Sequence, residues 1–85
     1  MEALKNNVKS FILQEFLPGE NPEALTESTP LISGGILDSI STLKLVMHLE
    51  QQYHVKIQSR EVNARYMDTI ADIAKLVQEK SENKS

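Results

Sequence analysis

The residues of this chain best placed to do chemistry are Asp38 and Ser39, in the run Gly34-Gly35-Ile36-Leu37-Asp38-Ser39-Ile40-Ser41. A helical pattern continues from there to about Tyr53. Asp is a favoured N-cap because its carboxylate accepts hydrogen bonds from first-turn N–H groups that have no partner inside the helix. With Asp38 as the cap, Ser39 is the first helical residue and its hydroxyl lies at the surface. The positive end of the helix dipole is beside it, which favours a phosphate. Such a serine suits attachment of a phosphate ester. It does not suit a nucleophile acting alone, since a serine hydrolase needs a His base and an orienting acid. Asp38 adjoins Ser39, and adjacent residues do not make that relay. His48 lies about two and a half helical turns further on. The sequence thus predicts no catalytic residue and no enzyme.

Other chemistries find little support. His48 and His54 are separated by about 240° around a helix, so they cannot share a metal on one face. A single surface His is usually only solvated. No His-x-x-x-His pair or acidic calcium loop occurs, and Gly34-Gly35 lacks both the Walker lysine and the dinucleotide fingerprint. No metal site is expected. The two glycines are read as permitting a tight, close-packed turn before the helix.

The whole chain sets the scale. Its 85 residues suffice for one small domain, too small to enclose a deep active site. A formal charge of −3 and the absence of a Lys/Arg run argue against nucleic acid or anionic membranes as partners. With no cysteine, neither a disulfide nor a thiolate metal site can form, and any thioester would need a thiol from a prosthetic group. No long apolar run and no signal-peptide pattern occurs, the start carrying Glu2 and Lys5. The expectation is a cytoplasmic monomer.

The elements that must position Ser39 follow from periodicity. Leu4, Val8, Phe11, Ile12 and Phe16 repeat with helical spacing, predicting an amphipathic helix from about Glu2 to Phe16, ended by Pro18-Gly19. Its charged side is expected to be solvated. Pro18 to Gly35 reads as a long loop, with one helical turn at Pro22–Leu25 after Asn21. Leu25, Leu31 and Ile32 could pin that loop across the bundle, or it could be mere connection. On the helix after Ser39, the residues Thr42, Leu45, Val46, Leu49 and Tyr53 form one apolar stripe, expected to be core. Ile40, Leu43 and Met47 form a second on roughly the opposite side. That stripe is either covered by the loop or exposed to another protein. The run His54-Val55-Lys56-Ile57 reads as an extended connector with Val55 and Ile57 inward. Ser59 could cap a short, weak helix from Arg60 to about Arg65, and a last helix begins at Thr69, which can pair with Asp72. Ile70, Ile73, Ala74 and Val77 form its inner face. Residues 1–80 make the domain, and 81–85 a flexible tail.

These residues resemble the acyl carrier protein family. The family's Leu-Asp-Ser-Leu/Ile signature is matched by Leu37-Asp38-Ser39-Ile40. The match continues through Thr42, Leu45, Val46, Met47, Leu49, Glu50 and Tyr53, and again at Thr69-Ile70-Ala71-Asp72-Ile73. The resemblance implies an all-α fold: a small four-helix bundle of three longer helices and one short helix, with a long first loop. It implies 4'-phosphopantetheine esterified to Ser39 by a phosphopantetheinyl transferase, Asp38 supporting the transferase's metal, and a thioester on the arm's thiol. The partners implied are that transferase, a loading ligase, and downstream synthases or transferases of lipid or secondary-metabolite synthesis. Ile40 and Met47 would fit their apolar pockets, with Leu43, Lys44 and Glu50 alongside.

The second helix departs from the family's acidic pattern. Ser41, Lys44, Gln51 and Gln52 stand where carboxylates are frequent, and Lys44 and His48 add basic character. Complementary charge sets encounter rate and partner choice. A carrier dedicated to specialised metabolism therefore fits better than one of housekeeping fatty-acid synthesis. Aminoacyl, peptidyl and D-alanyl carriers share a similar core motif and remain alternatives. So does, from another class, a helical interaction module without a prosthetic group.

Overall fold

In a computed structural model, which describes residues 2–19 and 21–82, all regular structure among the described residues is helical. The helices are α1 (Glu2–Phe16), α2 (Ser39–Tyr53), α3 (Ala64–Met67) and α4 (Ile70–Glu82). Single 3₁₀ turns occur at Pro22–Ala24 and Ser59–Glu61. This is the expected all-α bundle with three longer helices and a short one. α1 packs chiefly on α4, and α2 touches both.

The core lies where the periodicities place it. Val8 and Ile12 of α1 meet Leu45, Val46 and Leu49 of α2 and Ile70, Ile73 and Val77 of α4, all buried. Thr42 is buried too, and its hydroxyl is satisfied by donating to the Asp38 carbonyl at 2.7 Å. Tyr53 is only half-buried at the edge.

The long loop turns out to be part of the core. Leu25 and Leu31 are buried, and Ile32 packs against the cluster half-buried. Glu27 fastens the crossing at both sides: its carboxylate meets Lys5 Nζ of α1 at 2.7 Å, and its carbonyl accepts the Ala71 N–H of α4 at 3.2 Å. Lys5 is thus no member of a purely solvated face. Its ammonium is held charged above its ordinary pKa by the Glu27 carboxylate.

The segment after α2 departs most from expectation. Val55 and Ile57 do turn inward. The short helix expected from Arg60 to about Arg65 is instead a 3₁₀ turn followed by α3, which starts at Ala64. The reason is local capping. Asn63 takes an extended conformation and its Oδ1 accepts the Arg65 N–H at 2.9 Å, so helix begins after Asn63 and not after Ser59. The Glu61 carboxylate accepts the Gln58 N–H at 3.0 Å and pairs with Lys80 at 2.7 Å, tying the turn to α4. Met67, fully buried, anchors α3. α4 begins one residue after Thr69, whose hydroxyl accepts the Asp72 N–H at 3.0 Å. It continues through Ser81 and Glu82, where Gln78 Nε2 donates to Glu82 Oε1 at 3.3 Å. Of the segment 81–85 expected as a tail, residues 83–85 lie outside the described residues.

Leu45 and Leu49 have 0% exposure. Leu45→Ala and Leu49→Ala are each expected to cost about 2–5 kcal/mol, as truncation of a fully buried Leu does. Urea melts of the two variants check this, and near-zero losses in both would place the core on another face of α2.

Candidate functional site

The turn before α2 is built to present its first residue. A Cβ at Gly34 would collide with the Pro30 carbonyl, so no other residue fits without the backbone shifting. Gly35 has φ +82°, a left-handed conformation that costs other residues strain. The ring is closed by Leu37 N–H donating to the Leu31 carbonyl at 2.9 Å and Gly35 N–H to that of Ile32 at 3.1 Å. Leu37 is buried. It anchors the chain one residue before the cap.

Asp38 then caps α2 as expected. Its Oδ1 accepts the Ser41 N–H at 2.7 Å, and this bond holds the carboxyl below its ordinary pKa. Ser39 follows as the first helical residue, with its side chain exposed. Beside it lies a groove of about 360 Å³, lined by Ser39 with Ile32, Leu37, Thr42, Val62 and Asn63. One wall belongs to the turn, the other to the segment before α3.

The second stripe of α2 is open. Ile40 is 69% exposed, Leu43 54% and Met47 51%, so the loop does not cover them. All three share the helix face that begins at Ser39. Lys44 is exposed next to them, whereas Glu50 is half-buried and turned elsewhere. Its Oε2 accepts the Ile57 N–H at 2.9 Å, a structural use that fastens the connector. His48 is not a merely solvated side chain either. Its ring stacks on Phe11 with centroids 4.0 Å apart, and Nε2 lies 3.4 Å from Asn7 Oδ1.

Sequence reasoning missed one residue outright. Asp68, between α3 and α4, holds the turn that leads to Ser39. Its carbonyl accepts the Leu31 N–H at 2.6 Å. Its Oδ1 accepts the N–H groups of Ile32 at 2.9 Å and Ser33 at 2.8 Å, and Oδ2 the Ser33 hydroxyl at 2.7 Å. The Ser33 amide is the main cause of a carboxyl pKa below its ordinary value. No local pattern flags an interaction across 35 residues of sequence.

The site thus combines an exposed serine at a capped helix start, a groove at its side and an apolar stripe below it. Residues 12–77 match the model of the family described as phosphopantetheine attachment site. The chain belongs to that family, a family of carriers and not of catalysts. It thus provides the attachment site for a 4'-phosphopantetheine group. The residues present fit such a group: the hydroxyl is open to modification, and the partly apolar groove beside it can receive an extended chain. Among solved structures, a chain of the crystal structure of an FAD-dependent dehydrogenase is 38% identical, with a TM-score of 0.74 over 82% of this chain and 97% of that one. Since the match spans nearly all of that chain, the two chains are similar in length. No helix of the described residues is long and apolar enough to cross a membrane.

Asp38, Asp68 and Glu61 all have folded-state pKa values below ordinary, Glu61 mainly through Lys80. Unfolded, these groups take up protons first as pH falls. The stability they contribute is therefore complete above the ordinary carboxylate values and lost as pH drops through the depressed ones. Urea melts between about pH 6 and pH 3 are expected to show falling stability, with a shallower fall in Asp68→Asn. An unchanged profile in that variant would contradict the role given to the Asp68 carboxylate.

Proposed function

We propose that Ser39 is the attachment serine and that the chain carries an acyl or aminoacyl group as a thioester, presenting it to successive enzymes. The observation that carries this reading is the position of Ser39: exposed, directly after the Asp38 cap, at the edge of the groove and the head of the exposed stripe. In the modification, Ser39 Oγ would attack the pantetheine-bearing phosphorus of coenzyme A; the pyrophosphate P–O bond breaks, adenosine 3',5'-bisphosphate leaves, and the hydroxyl proton passes to a base of the transferase or to water. Asp38, held ionised by the Ser41 N–H, places a negative charge beside the reacting oxygen where the transferase's cation would bind. The attached arm supplies the thiol that this cysteine-free chain lacks. Tethering then raises the effective concentration of the cargo at each partner.

Ile40, Leu43 and Met47 are the apolar anchors for those partners, with Lys44 supplying charge. Glu50 is turned to the Ile57 N–H, so the apolar docking face is flanked by Lys44 along its length and by the ionised Asp38 at its head. This supports partners other than those selected by an acidic helix, and with them a dedicated pathway of specialised metabolism. The relative of similar length in the crystal structure of an FAD-dependent dehydrogenase supports a flavin enzyme among them. Such an enzyme would remove two hydrogens from the cargo, with the flavin as acceptor. We take the carrier to act as a cytoplasmic monomer of one domain.

Intact-mass measurement after incubation with coenzyme A and a broad-specificity transferase tests the site. The unaltered chain is expected to gain one arm, and Ser39→Ala to fold normally and gain none. Modification of that variant at Ser33 or Ser41 would sink the assignment.

Replacing Ile40 or Met47 by a polar residue is expected to change stability by no more than about 0.5 kcal/mol, as at other surface sites. Docking to a cognate loading enzyme should weaken by more than about 1 kcal/mol, as on losing a central interface anchor. Lys44→Glu should slow loading at low salt and less at high salt, because screening shortens the reach of the charge. Loading rates of these variants unchanged from the parent would remove the stripe from the interface.

A further inference from the structure

We propose that Asp68 is a positioning residue for modification of Ser39, acting through the turn from Leu31 to Leu37; the inference rests on Ser39 being the attachment serine. Asp68 makes no hydrogen bond to Ser39 and is not itself part of the groove lining, which it meets only through the Ile32 N–H. It follows the last residue of α3 and precedes Thr69, which caps α4, so its own position is set by the body of the bundle. From there it receives four hydrogen bonds from three consecutive residues, Leu31, Ile32 and Ser33. Three of them end on the carboxylate, and bonds to an ionised acceptor are stronger than neutral ones.

The consequence reaches Ser39 by a short path. Leu31 N–H is held by Asp68, and the Leu31 carbonyl in turn holds Leu37 N–H, one residue before the cap. The same residue ties the two walls of the groove together. Ile32 and Leu37 form the side of the turn, while Val62 and Asn63 form the side that leads into α3, at whose end Asp68 stands. Asp68 therefore fixes both the approach of the chain to Ser39 and the spacing of the groove beside it. A transferase must meet this junction in one conformation. If the turn is released, only a fraction of molecules is competent to dock, and apparent affinity falls by that fraction while the bound complex is unchanged.

The test measures initial rates of phosphopantetheinyl transfer from coenzyme A, by intact mass, against carrier concentration. It compares the unaltered chain with Asp68→Ala, Asp68→Asn and Ser33→Ala, each corrected for its folded fraction from urea melts. Amide hydrogen exchange is read on the same proteins. With a competent fraction of about one in ten, Asp68→Ala raises KM about tenfold at unchanged kcat. The Ile32 and Ser33 amides exchange faster, while those of α1 and α4 keep their protection. Asp68→Asn, which keeps an acceptor oxygen for the two amides, recovers most of the loss. Ser33→Ala, lacking one bond of the four, shows a smaller rise; these two variants carry the test should Asp68→Ala fail to fold. A KM for folded Asp68→Ala within about twofold of the parent overturns the proposal. Should that variant not fold, a KM for Ser33→Ala equal to the parent's, with unchanged exchange of the Ile32 and Ser33 amides, overturns it equally. So does a fall in kcat at constant KM, or exchange that quickens throughout the bundle with a rate loss equal to the unfolded fraction. If the unaltered chain itself gains no arm, it is the reading of Ser39 that fails, and this inference with it.

Discussion

Asp68 has to satisfy three consecutive residues of a chain segment that has no helix of its own. Backbone N–H groups brought close to a core need partners, and a loop lacks the internal ladder that a helix provides. At Leu31, Ile32 and Ser33 those partners all come from one residue at the junction of α3 and α4. With them in place, Leu31 and Leu37 can both be buried, Gly34 can lie against the Pro30 carbonyl, and Asp38 arrives where α2 can start. The serine at the head of α2 owes its place to contacts made some distance from it.

The small size of the domain explains why its loop belongs to the core. Three helices of 15, 15 and 13 residues leave gaps that one four-residue helix cannot fill. Leu25 and Leu31 fill them, and Glu27 binds α1 and α4 at once. A chain this short buries a modest share of its surface, so each apolar residue of the crossing counts. Met67 is fully buried as well, which gives a single helical turn a fixed position.

α2 bears two apolar stripes, one buried and one exposed. One is spent on the core. The other is left to water, which costs hydrophobic stabilisation that a self-contained domain would have used, and large exposed apolar patches mark sites of interaction. Under the proposal that Ser39 carries the arm, an enzyme docking on that stripe would also meet the tethered cargo. Of the charges around it, Glu50 is turned to a backbone amide, Asp38 stays ionised at the head of the stripe, and Lys44 is exposed beside it. Partner choice on such a surface depends on shape and apolar fit, with one charge of each sign beside it.

The sequence by itself determined whatever rests on local rules. Helical periodicity located α1, α2 and α4 and separated the core stripe of α2 from its other apolar stripe. Capping chemistry put Ser39 at the surface and Thr69 before the last helix. The motif around Ser39, with its resemblance, led to the phosphopantetheine family. What only the tertiary structure decided depends on residues distant in sequence. Whether the loop was pinned or slack turned on Glu27 meeting Lys5 and Ala71, and on Leu25 and Leu31 finding space between helices. Whether Ile40, Leu43 and Met47 were covered turned on that same path. The start of α3 moved to Ala64 because Asn63 was the better cap and Met67 the better anchor, a contest that weak propensities in a short segment cannot settle. Asp68 left no trace in any pattern, since its neighbours along the chain are unremarkable and its partners lie across the fold. Local signals follow from backbone geometry within a few residues, whereas a hydrogen bond between residues 33 and 68 exists only once the helices between them have packed.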